Sequence, residues 1–272
     1  MKQKSVISSK NNPQVKNINL LQKKAKAREE QGVYVVEGTK MFEEARDLKL
    51  LQKAFLSESF YQMKLKEAKN YFENLDYEVV SDSVFKEMSE TKSPQGILGI
   101  VKQTSYSLEE ITANPTPLLL LLEDIRDPGN LGTMIRTAEG AGVSGIILNH
   151  SCVDIYNPKV VRSTMGSIYR MPYYQTKDFI STLTALKELG ITIFAAHLNG
   201  RNYDLDGSFQ QSCAFLIGNE ANGLSEEASK MADIRIKIPM EGKVESLNAA
   251  IAAAILMYEA ARQRRKVSNR KE

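Results

Sequence analysis

Apolar residues in this chain follow two alternating rhythms, short unbroken runs and stripes at helical spacing, and the alternation predicts strands followed by helices. A first helix starts at Asn12-Pro13 and carries Val15, Ile18, Leu21 and Ala25 on one weak stripe. Strands are then expected at Val33–Val36, Ala54–Leu56, Glu78–Val80 and Ile97–Val101. Helices over Thr39–Leu48, Phe60–Phe72 and Val84–Met88 separate them, with Met41, Phe42 and Ala45 turned inward on the first. Thr104–Pro117, which mixes Ser, Asn and Thr with two prolines, reads as a linker. Leu118–Leu122 is an unbroken apolar run of the kind found in a parallel strand covered on both faces. Asp127-Pro128-Gly129-Asn130 follows as a turn, and Leu131, Met134, Ile135 and Ala138 recur at helical spacing as far as Gly142. Asn130 is placed to cap that helix. Further strands are predicted at Ile146–Leu148, Ile191–Ala196, Ala214–Ile217 and Ile234–Ile238, with helices at Lys159–Ser167, Phe179–Leu189 and Leu247–Arg265. The whole is an α/β protein with one domain over residues 1–103, a linker over 104–117 and a second domain over 118–272.

Composition leaves this picture in place. With 42% hydrophobic and 25% charged residues among 272, the chain has the make-up of an ordinary soluble protein. No long apolar run is present and the first residues, MKQKSVISSKNNPQ, are polar and basic, so neither a membrane span nor a signal peptide is expected and a cytoplasmic location is. Cys152 and Cys213 lack metal or redox spacing and read as reduced core residues; His150 near Cys152 does not complete a zinc set, and no metal is expected. Charge is more informative. The net value is only +3, yet Lys2, Lys4, Lys10, Lys16, Lys23, Lys24, Lys26 and Arg28 crowd one end and Arg262, Arg264, Arg265, Lys266, Arg270 and Lys271 the other. Such clusters suit a phosphate backbone, and equally a solvated helix face and a tail.

Candidate chemistry sits in three loops that each follow a predicted buried strand. The first carries Asn130 and Arg136. The second, Ile217-Gly218-Asn219-Glu220-Ala221-Asn222-Gly223, places Glu220 at a strand's carboxyl end, and Gly218 there would let a ligand approach the backbone. The third runs from Ile238 to Asn248; in it Ser246 is a natural N-cap for the alanine-rich last helix, whose small side chains suit a close partner helix or subunit as well as the domain's own core. In an open α/β sheet, residues so placed converge on one crevice. No Ser-His-Asp set, catalytic carboxylate pair or phosphate-binding loop can be assembled, the two histidines make a histidine base improbable, and GNLGTMIR is not a GxGxxG fingerprint.

Taken together, DPGNLGTMIRTAEGAG, FLIGNEANGLSEE and IPMEGKVESLNAAIAAA resemble the three ordered motifs of the SpoU/TrmH family of S-adenosylmethionine-dependent RNA ribose 2′-O-methyltransferases, within the SPOUT superfamily. The likeness spans about residues 118 to 262. Ser9, Asn12-Pro13, Lys16, Val36-Glu37-Gly38, Met88-Ser89 and Ser93-Pro94-Gln95-Gly96 resemble the family's accessory RNA-binding domain of ribosomal-protein L30e type. The resemblance implies a SPOUT domain with a parallel sheet and a C-terminal deep trefoil knot. It implies S-adenosylmethionine held by Gly218, Ile238 and Leu247, with His197 to Asn199 as a further donor-binding segment. Arg136 is implied at the reacting hydroxyl, as its base or as a phosphate clamp. Asn130 and Asn248 are implied to position the nucleotide and the arginine, Ser246 to orient that network or merely to cap the helix, and the substrate phosphate or Glu220 to take the proton of Arg136. A homodimer with its active site across the interface is implied too. The expected partner is RNA, 23S ribosomal RNA in preference to transfer RNA, with no DNA; the alternatives are a transfer-RNA ribose 2′-O-methyltransferase and a non-catalytic RNA-binding or ribosome-assembly factor on the same fold.

Overall fold

A computed structural model describes residues 5–68, 70–206 and 208–268, and the side chains of these except at 206 and 266–268. Lys2, Lys4, Arg270, Lys271 and the side chain of Lys266, all counted above in the basic clusters, lie outside it, as does residue 69 within the expected helix Phe60–Phe72. The chain divides into two units. One consists of the chain up to Thr104 together with Tyr156–Tyr169, the other of Ser105–Ile155 and the chain from Arg170 onward.

In the first unit, α1 (Pro13–Lys23) starts as its sequence requires: Asn12 accepts the Gln14 N–H at 2.9 Å and Pro13 fills the first turn. The backbone breaks into an extended conformation at Lys24, and α2 (Ala25–Gln31) follows. Val15, Ile18 and Leu21 are therefore buried as expected, but the break rotates Ala25 out to solvent and brings Ala27 in. Next come β1 (Val33–Glu37), α3 (Thr39–Asp47), β2 (Leu51–Ser57), α4 (Glu58–Glu67), β3 (Tyr77–Val80), α5 (Asp82–Met88) and β4 (Ile97–Lys102). The sheet order is β1-β4-β2-β3, antiparallel except for the β2/β3 pair. Strand alternation sends Phe55 and Leu98 toward α1 and α5, and Ala54, Leu56 and Ile97 toward Phe42 of α3 and Phe60 of α4. α4 stops at Glu67, short of the expected Phe72, which reaches the core from a turn.

The second unit begins inside the expected linker. Ser107 and Glu110 form a reciprocal capping box that starts α6 (Leu108–Thr112), and Ile111 enters the core. β5 (Leu118–Leu122) is buried at every position, followed by α7 (Pro128–Ala141) and β6 (Gly145–Asn149). The chain then visits the first unit, where α8 (Pro158–Thr164) packs on β1, Tyr156 stacks on Tyr34 at 4.4 Å between ring centroids, and the Tyr169 hydroxyl donates to the Met41 carbonyl at 2.8 Å. The helix expected at Lys159–Ser167 is thus real but belongs to the smaller unit, a placement its local periodicity does not carry. Back in the second unit come β7 (Tyr173–Thr176), α9 (Phe179–Glu188), β8 (Thr192–Asn202), α10 (Tyr203–Asp206), β9 (Cys213–Ile217), α11 (Glu226–Met231), β10 (Ile234–Lys237) and α12 (Ala249–Ser268). All pairs in its six-stranded sheet, ordered β10-β8-β9-β5-β6-β7, are parallel. Ile111, Leu183 and Ala228, from α6, α9 and α11, cover one face, while α12 lies against α7 and β9 on the other. Cys152 and Cys213 are free and buried. No helix among the described residues is long and apolar enough to cross a membrane.

Candidate active site at the reversal of the sheet

The larger sheet winds outward from β5 to β6 and β7, then crosses back to β8, and β9 fills the place beside β5. The loops after β5 and β9 therefore leave neighbouring strands in diverging directions, which is where open α/β sheets form their ligand crevice. Asp124, the second residue after β5, has a left-handed backbone with φ 55°, a conformation costing a non-glycine residue on the order of 1 kcal/mol. Hydrogen bonds from both sides hold it. Its N–H donates to Asn149 Oδ1 at 3.0 Å, and Asn219 Nδ2 donates to its carbonyl at 2.8 Å and its carboxylate at 3.2 Å. Glu123 accepts from the Ser225 N–H and hydroxyl at 2.8 and 2.6 Å, tying the end of β5 to the start of α11.

Two helix caps differ from expectation, and the differences build the site. Asp127, with Pro128 behind it, caps α7 by accepting the Asn130 N–H at 2.7 Å, so the Asn130 side chain is released. Asn248, not Ser246, caps α12: its Oδ1 accepts the Ala250 and Ile251 N–H groups at 2.9 and 3.3 Å. That cap fixes the Asn248 amide with Nδ2 outward, where it donates to Asn130 Oδ1 at 3.0 Å. Asn130 is fixed in turn, and its Nδ2 donates to Glu220 Oε1 at 3.0 Å. Glu220 also accepts the Arg126 and Asp127 N–H groups at 3.3 and 3.2 Å. Shelter of the Glu220 carboxyl would by itself raise its pKa, but the Asn130 amide and the surrounding backbone N–H groups outweigh it, and the carboxyl is held below its ordinary range. A carboxylate so held is a poor proton acceptor; its evident work is to lock the β9 loop to the start of α7. One Nδ2 hydrogen on each asparagine is left without a partner in this chain of bonds, giving two donors at its edge.

Two joined clefts flank these groups. One, of about 1000 Å³, is bordered by Arg126, Asn130, Asn222, Ser246 and Asn248. The other, of about 790 Å³, shares Glu220, Ser246 and Leu247 with it and is lined by all three expected donor-binding residues, Gly218, Ile238 and Leu247, and by His197 and Asn199. It has the volume of a small-molecule site. Residues 239–247 form no hydrogen bond among the described residues, so the peptide groups of this wall are available. Exposed apolar Leu198 and Val244 stand at its sides. Open peptide groups between apolar side chains fit an adenosyl group, whose base is flat and apolar with a polar edge. Gly218 has a different reason from the one expected: a Cβ there would stand 2.3 Å from the Gly223 backbone, so the loop's own tight turn requires it.

Not every expected residue joins. Arg136 is exposed on α7, its side chain makes no hydrogen bond or ion pair among the described residues, and it borders neither cleft. Its expected pairing with Glu220 is absent within the chain. Ser246 borders both clefts without capping anything. The roles of Asp124, Asn149, Asn219, Glu123 and Ser225 escape the sequence reading. The one available signal was a polar residue at the end of each apolar run, as in Ile147-Leu148-Asn149 and Ile217-Gly218-Asn219. Among the described residues no cluster of His, Cys, Asp and Glu could hold a metal.

Comparison with known proteins gives a consistent set of likenesses. Residues 117–258 match the model of the SpoU rRNA Methylase family, and residues 12–99 that of the MRM3-like substrate binding domain. The 23S rRNA (guanosine(2553)-2′-O)-methyltransferase RlmP of Bacillus subtilis is 32% identical over 253 residues, covering 93% of this chain and 97% of that protein. Among solved structures, the AdoMet-bound rRNA methyltransferase of Sinorhizobium meliloti aligns with a TM-score of 0.82 at 33% identity, over 95% of this chain and 97% of that one. The SpoU methyltransferase AviRb of Streptomyces viridochromogenes, in complex with AdoMet, aligns with a TM-score of 0.83 at 26% identity, over 93% and 98%.

Proposed function

The chain belongs to the SpoU rRNA methylase family, and from that membership we propose that it methylates a ribose 2′-hydroxyl of ribosomal RNA, in 23S rRNA, with S-adenosylmethionine as donor. The observation that carries the reading is the bond chain Asn248–Asn130–Glu220, which aligns two free amide donors beside a cleft of adenosyl size. When bound, the donor supplies a methyl group on a sulfonium, open to in-line attack by an oxygen. Gly218, Ile238 and Leu247 hold the adenosyl group through their backbone. The free N–H groups of Asn130 and Asn248 fix the acceptor nucleotide. Alignment of this kind lowers the barrier of a bimolecular transfer by removing orientational entropy.

Arg136 acts as a clamp. A guanidinium offers forked N–H donors and no acceptor, which suits a phosphate better than proton abstraction. Because it borders neither cleft of its own chain, we infer that it serves the cleft of a second copy in a homodimer. Exposed Ile251 and Tyr258 on α12, the helix that packs on α7, support a partner on this side. The smaller unit takes the RNA as an L30e-like substrate-binding domain, a reading supported by its likeness to the MRM3-like substrate binding domain. The deep trefoil knot is supported by the path of the chain: the edge strand β10 is followed by loop 239–247, which returns past the β9 loop to lay α12 against α7 and β9. The test is incubation of the protein with methyl-labelled donor and total RNA lacking modifications. One 2′-O-methylated nucleotide in 23S rRNA is expected; absence of ribose methylation in every RNA species contradicts the proposal.

A further inference from the structure

A separate hollow of about 460 Å³ lies at the outer edge of the larger sheet, against β10. Arg201 of β8, Lys230 of α11 and Arg235 of β10 border it, with Asn199, Ser229 and Asp233. Arg201 and Arg235 are exposed, and neither side chain makes a hydrogen bond or ion pair among the described residues. The acidic member is already satisfied: Asp233 accepts the Ile193 N–H at 2.9 Å and pairs with Lys187 at 2.9 Å. Lys230 pairs with Glu226 at 2.6 Å, an exposed contact that competes weakly with a ligand. The hydroxyl of Ser229, a residue only 5% exposed, has no hydrogen-bond partner. The hydroxyl oxygen is closed to solvent, so the open donors of the hollow are those of the two arginines.

We propose that this hollow holds a phosphate group of the RNA backbone, seated between the guanidinium groups of Arg201 and Arg235. Forked arginine donors match phosphate oxygens in pairs. The hollow and the donor cleft share Asn199, so a strand anchored here continues toward the place of methyl transfer. β10 pairs Arg235 with Ala195 and Ile236 with Arg201, so residues 196–200 of β8 bulge from the ladder between them, and a Cβ on Gly200 would stand 2.5 Å from the Ile236 backbone.

The inference rests on the RNA reading above, and the test separates the two. Binding of a fluorescein-labelled oligouridylate is measured across a salt series for the full-length protein and for Arg201→Gln, Arg235→Gln, the double variant and Ser229→Ala. Methylation of an unmodified 23S transcript is measured alongside. The double variant is expected to bind RNA about tenfold more weakly. Its log affinity should fall less steeply with log salt, by about 0.7 for one lost phosphate contact. The loss should appear in KM for RNA and not in kcat. Ser229→Ala, which removes no charge and no exposed donor, should bind as the unaltered protein does. Unchanged affinity and slope in the arginine variants overturn the site, as does binding of inorganic phosphate, followed by calorimetry, that the variants abolish while RNA binding stays intact. Failure of the unaltered protein to methylate RNA would instead remove the proposed activity, and the binding series would still judge the hollow.

Discussion

Glu37 and Glu220 are used in the same way and to different ends. Each follows an apolar strand, and each gathers donors from loops distant in sequence. Glu37, at the end of β1, accepts from the Ser89 hydroxyl, from the Thr91 hydroxyl at 2.6 Å and from the Glu90 N–H at 3.2 Å. The Thr91 N–H donates to the Ser89 hydroxyl at 3.0 Å as well, so the cluster closes on itself. Glu220 also joins two backbone N–H groups and a side chain, but its side-chain partner passes the order on to Asn248 and leaves donors over. The clamp alone is therefore no mark of a site. Unspent hydrogen-bonding capacity beside a cleft, at the reversal of a parallel sheet, is.

The largest expected effect tests whether those leftover donors suffice alone. Arg136→Ala should lower turnover by about 10³-fold, a loss comparable to removing a transition-state donor, while calorimetry shows donor binding preserved. Next, Asn248→Asp keeps the acceptor that caps α12 and loses the donor to Asn130. It should lower kcat/KM by about 10²-fold with melting temperature nearly unchanged; a lowered melting temperature with full turnover would reduce Asn248 to a cap. Glu220→Ala and Glu37→Ala should then diverge. The first weakens turnover, whereas the second costs stability, about 1–3 kcal/mol in denaturant unfolding, and leaves donor binding as it was.

Smaller still are the effects of pH. The folded pKa of Glu220 is depressed, so its contribution to stability is present above the ordinary carboxylate value and is lost as pH falls through the folded one. Melting curves of Glu220→Gln and of the unaltered protein should therefore converge in acid and separate toward neutrality. Burial pushes the Cys152 and Cys213 thiols up to about 11. Their contribution is present below the ordinary thiol value and is lost as pH rises through that figure. A thiol-titration reagent should find neither in the native protein near neutral pH and both after unfolding.

Much of this arrangement was legible in the sequence because local chemistry decided it. Leu118–Leu122 is buried at every position, as an unbroken run implies, and Gly142 ends α7 with a left-handed backbone. β7 was not legible: Tyr-Tyr-Gln-Thr is a half-exposed edge strand without an apolar run or a clean alternation. The caps were misread for a definite reason. Both Asp127 and Asn130, and both Ser246 and Asn248, are good N-caps by residue type; Pro128 at the first helical position selects Asp127 for α7, and Asn248 takes the Ala250 and Ile251 N–H groups of α12. Likewise no periodicity in Pro158–Thr164 shows that it packs on β1, since an amphipathic helix does not specify its partner.

The central claim, that Asn248 and Asn130 act on the acceptor as one bonded unit, is tested most directly by single-turnover methylation of an unmodified 23S transcript with Asn130→Ala, Asn248→Ala and the double variant. Residues acting as a unit lose their effect together, so the double variant should be about as slow as the slower single one. Rate losses that multiply in the double variant would contradict the account.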